Sequence, residues 1–257
     1  MSEIRRVART SSTQDEVRRA ARAGAAEWYC CVADEQTAGR GRLGRSWVAP
    51  PGAALLASVL LRPHEAVLTG LPFAAGLAVL DALQSTCGLE TRLKWPNDVV
   101  AAGGKLAGLL VEIEPAAALP ERPAAVLGLG LNRTVDQFPD GVAGASLHLL
   151  TTSPPSREAL LTAWLDALSG RAAALESDGV AATVDAWREH ATGLGQPASV
   201  STPAGATRGI AEDVDSTGAL LLRTPHELIR VVAGDVQTDT ASGSPQPSRS
   251  VRPTPQG

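Results

Sequence analysis

Gly39-Arg40-Gly41-Arg42-Leu43-Gly44-Arg45-Ser46-Trp47 sets the terms on which the rest of this chain is read. Three arginines alternate with glycines inside one short segment. Glycine lets a backbone approach a ligand closely and adopt φ > 0. Arginine supplies planar, paired N–H donors that match carboxylate and phosphate. Crowded like charges repel one another unless an anion sits among them. The segment lies between two apolar runs, residues 28–33 and 53–61, that read as buried strands. A glycine-arginine loop hung between strands predicts a site for a small anion. As a merely solvated basic loop it would leave the interleaved glycines without a purpose.

Upstream, Ser12-Thr13-Gln14-Asp15-Glu16 reads as a helix start, with Thr13 and Glu16 spaced as a capping box. Downstream, residues 68–87 read as a long buried helix ending before Gly88. Residues 92–100, a turn at 101–104 and an apolar run at 105–113 look like a hairpin. Residues 115–123 read as a surface loop and 124–131 as another buried strand. Ser156 starts a helix, and a second one follows near 180–190. After Gly195 the texture changes to short strands between turn signals, which suggests a small barrel-like module over 193–237. Residues 238–257 are rich in Ser, Pro and Gly without apolar periodicity and read as a disordered tail.

Composition narrows the function classes. With 257 residues and 44% hydrophobic content, the chain carries enough apolar surface to exclude disorder throughout. Three cysteines, two of them adjacent (Cys30 and Cys31), do not make a disulfide framework and suit a reducing cytoplasm. A net charge of −4 argues against a general nucleic-acid face. Neither a membrane span nor a signal peptide is expected. The four histidines are scattered, and CxxC, HExxH and GxSxG are absent, so neither a zinc site nor a serine triad has support.

Three further segments carry chemistry. Lys94-Trp95-Pro96-Asn97-Asp98 could serve a Mg²⁺-nucleotide, Lys for phosphate and a carboxylate for the metal, but on its own it is equally a surface turn. Lys105 opens an apolar strand between glycines, where it either snorkels to solvent or holds a buried anion. It is not a P-loop lysine, because Leu106 follows it. Gly128-Leu129-Gly130-Leu131-Asn132 is half a dinucleotide fingerprint, or simply a strand end with close backbone packing.

The ordered set is more specific than its members. Ser12-Thr13-Gln14, then Gln36 with the 39–45 loop, then Lys94 to Asp98, Gly104-Lys105-Leu106-Ala107-Gly108 and Gly128 to Asn132 closely resemble the biotin protein ligase family, the biotin–[acetyl-CoA-carboxylase] ligases. Arg208-Gly209-Ile210, Gly218-Ala219-Leu220 and Ala233-Gly234-Asp235-Val236 resemble that family's SH3-like C-terminal domain. The resemblance implies an α+β fold. Residues 1–192 would form a catalytic domain like that of class II aminoacyl-tRNA synthetases and lipoate ligases, a mixed sheet flanked by helices. A small SH3-like β-barrel would follow over 193–237.

The implied enzyme, a biotin–[biotin carboxyl-carrier protein] ligase, works in two steps: MgATP converts biotin to biotinyl-5′-AMP, and a lysine of a biotin carboxyl carrier domain then takes the biotin. The resemblance gives Ser12, Thr13, Gln14 and Gln36 the ureido end of biotin. It gives Arg40, Gly41 and Arg42 the loop over biotin and its adenylate, and Lys105 the biotin carboxylate and α-phosphate. Arg45 and Lys94 would meet ATP phosphates, and Asn97, Asp98 and Asn132 the nucleotide side. Arg42, Lys105 and Lys94 form the expected catalytic set; Mg²⁺ would travel mainly on ATP, and Trp47 would pack rather than touch ligand. The family usually has Asn where Gln14 stands. The few residues before Ser12 fit the monofunctional type, without the DNA-binding domain of biotin-sensing repressors. A cytoplasmic monomer or homodimer is expected, with no nucleic acid or membrane as partner. The competing readings are a lipoate or other acyl-acid ligase and a non-catalytic biotin-sensing module.

Overall fold

Eight consecutive residues, Ala54–Leu61, are all buried, which requires a strand covered on both faces. The computed structural model, which describes residues 3–119, 122–139, 141–202 and 205–238, provides that cover. In chain order the first part holds β1 (Ile4–Thr10), α1 (Thr13–Arg22), β2 (Cys30–Gln36), β3 (Ala54–Leu61), α2 (Leu71–Cys87), β4 (Arg92–Lys94), β5 (Asp98–Ala101), β6 (Gly104–Leu119) and β7 (Arg122–Asn132). Then come α3 (Leu147–Leu150), α4 (Arg157–Glu189) and β8 (Ala191–Thr192). The last part is β9 (Gln196–Thr202), β10 (Gly205–Val214), β11 (Leu220–Arg223), β12 (Leu228–Val231) and β13 (Asp235–Thr238).

Strands β1 to β8 form one mixed sheet in the order β1-β2-β3-β7-β6-β5-β4-β8. The β1–β2 and β4–β8 pairs are parallel and the other neighbours antiparallel. Successive side chains of β3 alternate between two cores. Leu55, Ala57, Val59 and Leu61 join the core built from α2 and α4. Leu60 faces the other way, with Val17 and Ala21 of α1 and Val126 of β7. The sheet is therefore sandwiched between α1 on one face and α2 with α4 on the other. Helix α2 with the 3-10 turn before it is long and apolar enough to cross a membrane, but it is spent on this core.

Strands β9 to β13 form a second, all-antiparallel sheet in the order β12-β11-β10-β9-β13. Its apolar residues Val214, Leu220 and Leu222 belong to the same core as α2. Polar contacts help fasten it there. Trp95 Nε1 donates to Gly218 O at 3.0 Å, Arg188 Nε donates to Val214 O at 2.9 Å, and Arg188 pairs with Asp213 at 3.0 Å. Gly218 has φ +93°, and its Cα lies so close to the Phe73 ring that no side chain fits.

Several expectations need correction. Ile4–Thr10 is a strand that the sequence reading passed over, because an arginine-rich edge lacks the alternation of a half-buried strand. The 115–123 segment is no surface loop, since β6 runs to Leu119 and β7 begins at Arg122. The 68–87 helix starts at Leu71, after a 3-10 turn over Glu65–Gly70. The capping box at Thr13 and Glu16 does not form. Ser12 is the N-cap and makes no side-chain cap bond, while Glu16 accepts from Thr10 at 2.8 Å and Arg19 at 2.7 Å. The two helices expected near 156 and 180 meet at Gly179, whose φ of 82° and ψ of 179° break the helical run. Thr238 closes β13, and the remainder of the expected tail, 239–257, lies outside the described residues.

Candidate active site

Glycines in β6 and β7 leave the middle of the sheet bare, and a cavity of about 220 Å³ opens there beneath the 39–47 loop. A Cβ on Gly130 would run into the Trp47 indole, and one on Gly128 would lie 3.1 Å from the Gln14 amide carbon. The half fingerprint at Gly128 to Asn132 is thus a cavity floor formed of backbone. A wider groove of about 950 Å³ between α2 and α4 carries none of this chemistry. Its Asp81 and Arg171 are paired with each other at 2.7 Å.

The floor is polar, and its hydrogen bonds have a direction. Gln36 Oε1 accepts from the Thr13 backbone N–H at 2.8 Å and from the Thr13 hydroxyl at 3.0 Å. That leaves its Nε2 as the donor face. Thr13 Oγ1 and Ser58 Oγ lie 2.7 Å apart. Gln14 is the reverse case: its Nε2 donates to Leu110 O at 3.2 Å, Glu112 Oε2 at 3.1 Å and Val126 O at 3.4 Å. Its Oε1 is buried without a partner, as are Ser12 Oγ and Trp47 Nε1. Buried polar groups are normally satisfied, and orphans gathered at one cavity mark a place where something else supplies the bonds.

The loop is a tight structure of its own. Gly41 N donates to Arg45 O at 2.7 Å and Trp47 N to Gly39 O at 2.9 Å, around a 3-10 turn at Arg42–Gly44. Its three arginines do not simply crowd together. Arg40 makes a two-pronged pair with Asp15 (2.9 and 2.8 Å) and reaches Glu112 at 3.1 Å. Those bonds hold the Asp15 carboxyl below its usual range, and the Arg40 guanidinium is held correspondingly more firmly protonated. Arg42 NH1 donates to Asn97 Oδ1 at 3.4 Å and to Gly234 O, in the connection between β12 and β13, at 3.1 Å. Arg45 Nε donates to Arg42 O at 3.4 Å.

Lys105, at the start of β6, sits beside the cavity with its ammonium 2.6 Å from Asp98 and 5.6 Å from the centre of the Trp47 ring. Asn132 donates to Lys105 O at 3.2 Å and to Ala145 O at 3.0 Å, and Asn97 Nδ2 donates to Leu109 O. The two asparagines therefore brace the backbone around Lys105 and under Arg42.

The structure gathers most of the expected site. Ser12, Thr13, Gln14 and Gln36 line the cavity; so do Arg40, Gly41, Arg42 and Arg45, and so do Asn97, Lys105 and Asn132. Two do not join them. Asp98 turns its carboxylate to Lys105, and Lys94 lies on β4, opposite Asp98 and beside Thr192, toward the far edge of the sheet. Trp47, expected only to pack, lines the cavity as well. The sequence reading missed Ser58 and Glu112. A lone serine in Ala54–Leu61, fully buried, was the available signal. Burial pushes the Cys30 thiol up to about 12 and the Cys31 thiol to about 11, so neither is a nucleophile.

Residues 7–132 match the profile of the biotin/lipoate A/B protein ligase family, and residues 193–238 that of the biotin protein ligase C terminal domain. The chain is 38% identical to a biotin–[acetyl-CoA-carboxylase] ligase of Mycobacterium tuberculosis, over 90% of this chain and 86% of that one. It is also 38% identical to one of Paracoccus denitrificans, over 85% and 93%. A biotin protein ligase from Aquifex aeolicus, solved in complex with biotin and ATP, superposes with a TM-score of 0.77 at 25% identity, over 93% of this chain and 99% of that one. The fold is thus that of the class II aminoacyl-tRNA synthetase-like ligases, with their small C-terminal domain attached. Within that class, the chain belongs to the biotin protein ligase family.

Proposed function

We propose that this chain activates biotin with ATP and transfers it to a lysine of a carboxylase carrier domain, with both steps taking place in the cavity under the 39–47 loop. The observation that carries the assignment of the cavity is the opposed polarity of two amides. Gln36 has spent its oxygen on Thr13, and Gln14 has spent its nitrogen on three acceptors. The floor therefore offers a donor and an acceptor together. A cyclic urea, which carries N–H and C=O side by side, fits that pattern. A dithiolane ring has neither, which disfavours lipoate.

In the first step a carboxylate oxygen of biotin bonds to the α-phosphorus of ATP and pyrophosphate leaves. In the second, the carrier amine bonds to the acyl carbon, AMP leaves with the electron pair of the broken C–O bond, and the amine proton passes to solvent. Both steps concentrate negative charge on phosphate and carboxylate oxygens, so fixed cations stabilise the transition states more than the ground states. Lys105 is the residue we assign to that charge, exchanging Asp98 for the ligand. Arg42 closes over the adenylate and Arg45 meets the phosphates, while Arg40 ties the loop to the floor. Asn97 and Asn132 position Arg42 and Lys105. Magnesium enters on the ATP phosphates as part of that substrate; the described residues offer no cluster of three or more His, Cys, Asp or Glu to hold it.

We assign residues 1–192 to the catalytic unit and the strands after it to a separate small domain. We place the enzyme in the cytoplasm, on the strength of its free cysteines. The test is transfer of labelled biotin to a carrier domain by the pure protein with MgATP, run beside lipoate. Transfer of biotin is expected; no transfer, or a preference for lipoate, overturns the assignment.

A further inference from the structure

We infer that Glu112 is a positioning residue: with the Leu110 and Val126 carbonyls it fixes which way round the Gln14 amide faces, and through it the preference for a ligand that donates an N–H. This rests on the assignment of the cavity to biotin. Gln14 is 4% exposed, so the groups packed around its amide decide which end each neighbour meets. Its nitrogen faces Glu112 Oε2, Leu110 O and Val126 O, all acceptors. Its oxygen lies over Gly128, 3.2 Å from where a Cβ would be, with no partner. Reversing the amide would set its carbonyl oxygen against a carboxylate and two carbonyls, with nothing to donate to them.

Of these three acceptors, Glu112 is the charged one and the only side chain. It is itself fixed. The same Oε2 accepts from Arg40 at 3.1 Å, and Oε1 lies 3.5 Å from Arg18. The two-pronged bond of Arg40 to Asp15 does not pass through Glu112. Position 14 can therefore accept a bond from the ligand and cannot give one. A ligand whose buried ring lacks an N–H leaves the Gln14 oxygen unpaired and loses that bond, which is how a hydrogen-bonding site rejects an analogue that cannot pair.

The test compares wild type, Glu112→Ala, Glu112→Gln, Gln14→Met and the double variant Gln14→Met with Glu112→Ala, all as the full chain. Glu112→Ala is expected to raise the KM for biotin about tenfold, the ratio that one lost hydrogen bond carries. The KM for ATP, and kcat at saturating biotin, should stay within about twofold. Glu112→Gln, whose carbonyl still accepts, should fall between. In the Gln14→Met background the same Glu112→Ala change should cost less than about twofold. An equal rise in the KM for ATP, or an undiminished effect in Gln14→Met, overturns the inference.

A second readout does not use turnover. The Gln14 side-chain NH₂ signals, assigned by their loss in Gln14→Met, should be protected from exchange in wild type and less so in both Glu112 variants. Equal protection in all three overturns Glu112's hold on the amide. A wild-type chain that neither binds nor transfers biotin would remove the functional assignment instead, and the amide signals would still judge the contact itself.

Discussion

A glutamine side chain has two ends of similar shape and opposite polarity, and its neighbours decide which end a ligand meets. The same holds for the cations here, whose partners set what they can do. Lys105 is balanced by Asp98, so in the role we propose for it an incoming anion displaces that carboxylate as its partner. We expect Lys105→Ala to lower kcat/KM for biotinyl-AMP formation by about 10²–10³-fold, the usual loss for one transition-state charge partner; pyrophosphate release measures it. The Arg40–Asp15 pair makes a prediction with a sign. The Asp15 carboxyl is held below its ordinary value, chiefly by the hydrogen bonds from Arg40. Its contribution to stability is present in full above the unfolded pKa of about 3.9 and is lost as pH falls through the folded value. Wild type should melt above Asp15→Asn at pH 6, by about 1 kcal/mol or less for a pair this exposed. That gap should close below about pH 4; a gap that persists in stronger acid contradicts the pairing. The residue types of the site were legible in the sequence, because Gly, Arg and Lys in that spacing have few other uses. Their pairings were not. Arg40 and Glu112 stand 72 positions apart, and only the sheet brings them together.

At the level of elements, β6 and β7 supply the floor and the small sheet supplies a backstop. Gly130→Ala is expected to displace Trp47 and weaken biotin binding by roughly tenfold or more, the scale of an overpacked site; calorimetry would register it. Gly218→Ala combines a strained φ with a clash against Phe73, and should lower stability by about 1–3 kcal/mol in urea unfolding. Apolar strands such as Ala54–Leu61 were readable because burial on both faces leaves a continuous run. The end of β6 was not, since prolines and alanines around 115–123 have weak strand preference of their own and are held by pairing of Leu119 with Arg122 across the ladder. The capping box failed for a related reason. The Thr13 hydroxyl, free to cap in an isolated helix, is drawn instead to Gln36 and Ser58, and local rules give way where a site is built.

For the whole molecule, Arg42 is the link that matters, because it joins the loop over the cavity to Gly234, between β12 and β13 and 192 positions away. Removing it should let biotinyl-AMP escape before transfer. Arg42→Gly is expected to label lysines of bystander proteins that wild type leaves unlabelled, read by blotting for biotin; equal labelling by both would deny the loop that role. The two-part layout could be read from the change of texture after Gly195, while the docking of the parts through Trp95, Phe73 and Arg188 could not. The order of the large sheet also governs how the protein must be made. β7 sits between β3 and β6, so β3 has no partner on one side until residue 132 has left the ribosome. At ~5–20 residues per second, the roughly seventy residues in between take several seconds to synthesise. For that time Ala54–Leu61, eight residues that are all buried once folded, waits uncovered on one side of the nascent polypeptide. The bare glycine strand that shapes the cavity is thus also the strand whose arrival covers that apolar edge during translation.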